Sequence, residues 1–142
     1  MKRFLLPFLF ILTFFSCTNN DNKTTTSENE VDAARNFIRA ALDGKWNDAQ
    51  KFMLPDSTNV QILDNLKRNW ELHMNPDDKR GYRDASINLY DTRNVADSIV
   101  IVNYSNSYKK EKDSVRVVRN NEQWLIDLKY SFPQTDTSHH AH

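Results

Sequence analysis

Apolar residues first recur along this chain at helical spacing and later at alternate positions. Val31, Ala34, Ile38 and Ala41, widened by Phe37 and Leu42, form one face of a first helix. Ser27 and Glu30 fit a capping box at its start, and Asp43-Gly44 stops it. Trp46, Ala49 and Phe52 predict a short second helix ended by Pro55. Asp56, Ser57 and Thr58 are all competent N-caps for a third. It should run to Met74, with Val60, Leu63, Leu66, Trp70 and Met74 inward and Asn75-Pro76-Asp77-Asp78 closing it. After Gly81 the period becomes two. A strand is expected over 82–91, carrying Ile87 and Leu89, then a polar turn over 91–97. A second strand over 98–108 contains Ile99-Val100-Ile101-Val102, apolar on both faces, as in a strand covered on both sides. A charged hairpin loop over 109–113 leads to a third strand with Val115 and Val117. Asn120-Asn121 marks the turn into a fourth over 123–132. There Trp124, Ile126, Leu128 and Tyr130 share one face, with Leu125, Asp127 and Lys129 on the other. If the first set faces the core, Asp127 points outward.

The fold class is therefore α+β, three N-terminal helices packed on a curved antiparallel sheet of about four strands. The expected core is Phe37, Ile38, Leu63, Leu66, Trp70, Ile99, Ile101, Trp124, Ile126 and Leu128.

The ends of the chain read differently. Met1-Lys2-Arg3 precedes twelve residues, Phe4 to Phe15, that are apolar except Thr13. As a helix they rise about 18 Å, too short for a hydrocarbon core of roughly 30 Å. A charged start, a short apolar run and small residues after it make a signal peptide over 1–16. The sole cysteine, Cys17, stands at the expected cut. This resembles a bacterial lipoprotein signal, in which signal peptidase II cuts before a cysteine that is then lipidated. Phe14 stands where Leu is usual, a relaxed form similar to those of Bacteroidetes lipoproteins. The resemblance implies a lipid anchor at Cys17, and each buried methylene of its acyl chains adds about 0.8 kcal/mol. Residues 17–27, rich in Asn, Thr and Ser, make a flexible tether. The domain spans 28–132, and 133–142 is a polar tail.

Within the domain, Val31-Asp32-Ala33-Ala34-Arg35-Asn36-Phe37, Asp43-Gly44-Lys45-Trp46 with Ala49, and Asn121-Glu122-Gln123-Trp124-Leu125-Ile126 resemble a small bacterial lipoprotein family called domain of unknown function 4878. That family belongs to the cone-shaped nuclear-transport-factor-2-like (cystatin-like) superfamily. The resemblance implies a sheet wrapped around helices with a pocket at the open end. It supplies no catalytic residue.

Composition narrows the function classes. The chain has 142 residues, 2 Gly and 1 Cys, which leaves no glycine-rich phosphate loop, no disulfide within the chain and no cysteine-based zinc site. Lys+Arg and Asp+Glu are both 19, and loss of Lys2 and Arg3 with the leader would leave a formal charge of −2. No basic excess supports nucleic-acid binding. Lys109, Lys110 and Lys112 are interrupted by Glu111 and Asp113 and read as a solvated hairpin tip.

An isomerase- or dehydratase-like pocket would need a base and an oxyanion donor. Asp127 and His73 are the base candidates, and Tyr90, Tyr104 and Tyr130 the donors. The acids, however, sit beside basic neighbours or in loops, and His73 near a helix end favours the helix dipole. His139, His140 and His142 sit in a polar tail without supporting carboxylates, so no metal or cofactor is expected. The aromatic residues suggest a binding wall instead, with Trp70, Tyr90, Tyr104, Tyr108 and Tyr130 as its candidates. The expected function is that of a non-catalytic envelope lipoprotein. It would sit on the outer membrane facing the periplasm and bind a small apolar ligand or a protein partner. Homodimerisation through the sheet face is a further expectation, and a pocket enzyme of isomerase or dehydratase type is the rival.

Overall fold

The computed structural model describes residues 26–133. The expected leader, Cys17, nearly all of the tether and the histidine-bearing tail lie outside the described residues.

Four helices precede four strands. The first helix, α1, spans Glu30–Leu42 and is capped by Asn29, whose side chain accepts from the Asp32 backbone N–H at 2.9 Å. Ser27 does not cap it; its hydroxyl accepts from Asn36 instead. Gly44 follows α1 with φ 71°, a left-handed turn that glycine allows without strain. The short α2, Trp46–Gln50, buries Trp46 and Ala49. The third helix, α3, spans Ser57–Leu72 and is capped by Asp56. Its inward stripe is Asn59, Ile62 and Leu63, with Leu66 and Trp70 half-buried beyond them.

Asn75-Pro76-Asp77-Asp78 does more than end α3. Asn75 accepts from the Asp78 N–H at 2.8 Å and caps a fourth helix, α4, over Pro76–Asp84, with Pro76 in its first turn. None of its residues is buried. It therefore lacks the apolar stripe by which sequence periodicity detects a helix. The strand expected over 82–91 begins later for the same reason.

The sheet is fully antiparallel in the order β1-β2-β3-β4, with β1 Ile87–Ala96, β2 Ile99–Asn106, β3 Asp113–Asn120 and β4 Gln123–Asp127. Residues 91–96, expected as a turn, belong to β1, where pairing with β2 holds them although every side chain is exposed. Register shifts between Leu89 and Asp91 and between Asn94 and Ala96 skip Tyr90 and Val95. Such bulges bend a strand and increase its twist, which curves the sheet around the helices. At the other edge, Ile126 exchanges backbone hydrogen bonds with Phe52 and Leu54, so the segment after α2 pairs with β4 as a parallel bridge.

The core lies between α1, α2, α3 and one sheet face. On β2 that face carries Val100 and Val102, not the expected Ile99 and Ile101. Ile101 is buried on the opposite face and Ile99 is half-buried. A run apolar at every position cannot say which parity meets the helices. Register decides it, since Val100 pairs with Val117, and Val117 with Ile126. Ile126 and Leu128 are fully buried as expected, whereas Trp124 is half-buried against the cluster edge.

Candidate functional site

At one end of the core the helices and sheet do not close. A cavity of about 190 Å³ remains, walled by Phe37, Leu42, Trp46, Leu66 and Trp70 from the helices, with Met74 beside them. Tyr82 comes from α4, Tyr104 from β2, Val115 from β3, and Leu128 and Phe132 from the segment after β4. The polar groups reaching it are the Tyr104 hydroxyl, Asp113 and Ser131. A wider depression of about 540 Å³ lies between Glu30, residues 94–97, Val100 and Trp124.

The cavity wall is an aromatic series. Trp46 meets Trp70 edge-on with centroids 6.0 Å apart. Trp70 lies 6.0 Å from Tyr82, and Tyr82 5.2 Å from Tyr108. The chain's two glycines make room for this series. A Cβ on Gly44 would lie 2.7 Å from Trp70 Nε1, and one on Gly81 would run into the Tyr108 ring. The Trp46 indole N–H is buried without a hydrogen-bond partner among the described residues.

Tyr82 is placed by contacts that sequence periodicity does not show. The Arg39 guanidinium, on α1, donates to the carbonyls of Tyr82, Arg83 and Ala85, at 3.2, 3.1 and 2.7 Å. It also pairs with Asp43 at 2.7 Å. A cation at a helix C-terminus satisfies orphan carbonyls and opposes the dipole. At the other end of α4, Asp78 accepts from the Tyr108 hydroxyl at 2.6 Å and lies 3.6 Å from Lys109. The Tyr108 hydrogen bond, reinforced by Lys109, holds the Asp78 carboxyl below its ordinary range.

Tyr104 donates its proton to Asp113 Oδ2 at 3.1 Å, and the Ser114 N–H donates to Oδ1 at 2.7 Å. Burial, and then the Asp113 charge, push the Tyr104 phenol far above its usual range. It stays protonated and oriented at neutral pH.

Of the sequence candidates, Trp70 and Tyr104 line the cavity. Tyr108 meets Tyr82 edge-on from outside the cavity and is exposed at its rim. Tyr90, skipped by the first bulge, contacts the Ser105 hydroxyl at 2.5 Å, and Tyr130 is exposed; neither lines the cavity. His73 is the exposed C-cap of α3.

Asp127 is buried rather than outward-facing, because β4 ends there and α3 covers it. Its Oδ1 accepts from Asn59 Nδ2 at 3.3 Å and lies 3.5 Å from Lys129 Nζ. The fully buried Asn59 also accepts from the Leu128 N–H at 2.7 Å and donates to Asp56 Oδ2 at 2.6 Å. Lys129 bridges back to Asp56 at 2.9 Å. This network joins the start of α3 to the end of β4. It places neither Asp127 nor His73 beside a tyrosine hydroxyl, as the rival pocket-enzyme reading would require.

Tyr82, Asp113 and Phe132 were not singled out from the sequence as pocket residues. Tyr82 lies on an apolar-poor helix, Asp113 opens a strand, and Phe132 follows the last one. Among the described residues, no group of three or more His, Cys, Asp or Glu could hold a metal ion. No helix among them is long and apolar enough to cross a membrane.

No protein-family model matches the chain, and no curated protein matches it. Among solved structures it is similar to an NTF-2-like protein of unknown function from Shewanella oneidensis MR-1. The two are 11% identical with a TM-score of 0.45, over 68% of this chain and 89% of that one.

Proposed function

We propose that this chain is a non-catalytic binding module that holds a small ligand with apolar groups in the aromatic cavity at the open end of a cone-shaped, nuclear-transport-factor-2-like domain. The proposal extends to a Cys17-lipidated protein of the domain of unknown function 4878 family, anchored in a bacterial outer membrane and facing the periplasm. The observation that carries the binding reading is the cavity itself. Its walls are predominantly apolar with a few polar groups among them, the usual lining of a ligand site. Against an enzyme stands the use already made of those groups. Tyr104 directs its one proton to Asp113, so it is not aimed at a developing oxyanion, and the Asp127 carboxylate is tied to Asn59.

Titration of the 15N-labelled domain with the neutral probe 3,3-dimethylbutan-1-ol tests the binding reading. Saturable shifts of the Trp46 and Trp70 indole signals are expected. They should vanish in Ala41→Leu, which adds three carbons to the wall. Absence of saturable shifts both with this probe and with its cationic isostere choline, or shifts unchanged in that variant, would refute it. Labelled-palmitate incorporation that persists in Cys17→Ala would refute the anchor.

A further inference from the structure

Six aromatic side chains line the cavity: Phe37, Trp46, Trp70, Tyr82, Tyr104 and Phe132. Consecutive rings are inclined, Trp46 to Trp70 by 72° and Trp70 to Tyr82 by 47°, so they surround a volume rather than form one flat stack. Aromatic faces are electron-rich and attract cations. The one charged side chain in the lining is the Asp113 carboxylate, and no Lys, Arg or His contributes to it. Asp113 is fixed in place by the Tyr104 hydroxyl on one oxygen and the Ser114 N–H on the other. Lys109 lies 5.9 Å from the Tyr82 ring centroid but does not line the cavity, and Asp78 meets its charge at 3.6 Å. The volume equals that of about six liquid waters, at roughly 30 Å³ each. It is below the roughly 300 Å³ at which drug-sized pockets begin.

From the aromatic lining, the single fixed carboxylate and the size, we infer that the cavity takes a small organic cation of the alkylammonium class, its apolar substituents against the rings and its charge facing Asp113. This rests on the binding reading above and names the chemistry of its ligand. A neutral ligand of equal shape gains the apolar contact but neither the ring–cation attraction nor the carboxylate. The ring–cation attraction and the Asp113 charge together should make preference for the cation at least about tenfold.

Choline and its uncharged carbon isostere, 3,3-dimethylbutan-1-ol, differ only in the quaternary centre and separate the two contributions. Calorimetric and NMR titrations of both should give choline an affinity at least about tenfold higher. Asp113→Asn should lower choline affinity about fivefold or more while leaving the alcohol within twofold. Tyr104→Phe, which keeps the carboxylate, should retain the preference for choline. That variant, with circular dichroism of both, separates loss of charge from loss of the Tyr104–Asp113 contact. Equal or tighter binding of the alcohol would overturn the cation assignment and leave the binding module standing. An unchanged choline affinity in folded Asp113→Asn would also overturn the assignment. If neither probe binds, both readings fall.

Discussion

Replacing Asn59 by Ala removes one side chain that serves three groups. The Leu128 N–H, 2.7 Å from Asn59 Oδ1, belongs to a residue only 1% exposed, so water cannot take over that bond. An orphaned buried donor costs about 1–3 kcal/mol. Asp127, 8% exposed, loses the Nδ2 donor and keeps Lys129, for about 1 kcal/mol more. The void left by the amide adds about 1 kcal/mol. The bond to Asp56 counts for little, because that carboxylate is solvated and keeps Lys129. The expected loss is about 3–5 kcal/mol, measured as a fall in the urea midpoint at unchanged slope. Asn59→Asp sharpens the test. It keeps an acceptor for Leu128 but sets a third carboxylate against Asp56 and Asp127, so its penalty should shrink on acidification from pH 7 to about pH 5. A loss below about 1 kcal/mol in Asn59→Ala, or a pH-independent penalty in Asn59→Asp, would show that the network does not hold α3 to β4.

Three further outcomes follow from contacts already described. The Lys129 hydrogen bond, partly opposed by desolvation, lowers the Asp56 carboxyl from 3.8 to about 2. Its contribution is therefore complete above about pH 4 and lost as pH falls toward 2; Lys129→Met should flatten that acid limb in urea midpoints. Arg39→Ala should release the C-terminal carbonyls of α4 and speed amide exchange over 76–84 about tenfold or more, while exchange in β2 and β3 rises less. Equal acceleration everywhere would mean α4 has no separate opening. Asn121 and Glu122 both have positive φ, 48° and 65°, in the two-residue turn between the paired Asn120 and Gln123. Glu122→Gly should raise thermal stability by about 1 kcal/mol, and a loss would mean the turn relaxes without strain.

The elements legible in the sequence are those whose stability comes from an apolar stripe or a local cap. Val31, Ala34 and Ile38 mark α1, Asp56 marks the start of α3, and Ile126 with Leu128 marks the inward parity at the end of the chain. What escaped is held by other means. The helix α4 is fixed through backbone carbonyls that Arg39 reaches across more than forty residues, and no pattern within 76–84 encodes that. The burial of Asp127 depends on Asn59, a polar residue in the core stripe of α3, where periodicity expects an apolar one. Half of the candidate site behaves likewise. Trp70 and Tyr104 were visible as aromatics in regular elements, but Tyr82, Asp113 and Phe132 converge on the cavity from three unrelated segments.

The two borders of the sheet bear on how this protein survives at high local concentration. A strand border normally offers a row of free N–H and C=O groups onto which another molecule can add its own strand. Along β4 the backbone around Phe52 and Leu54 already occupies the groups of Ile126. Along β1 the row is broken twice, at Tyr90 and Val95, and is dotted with Asp91, Arg93 and Asn94. Neither border presents the long, straight template that runaway strand addition requires. Crowding many copies onto one surface should therefore leave them as separate molecules rather than seed fibres.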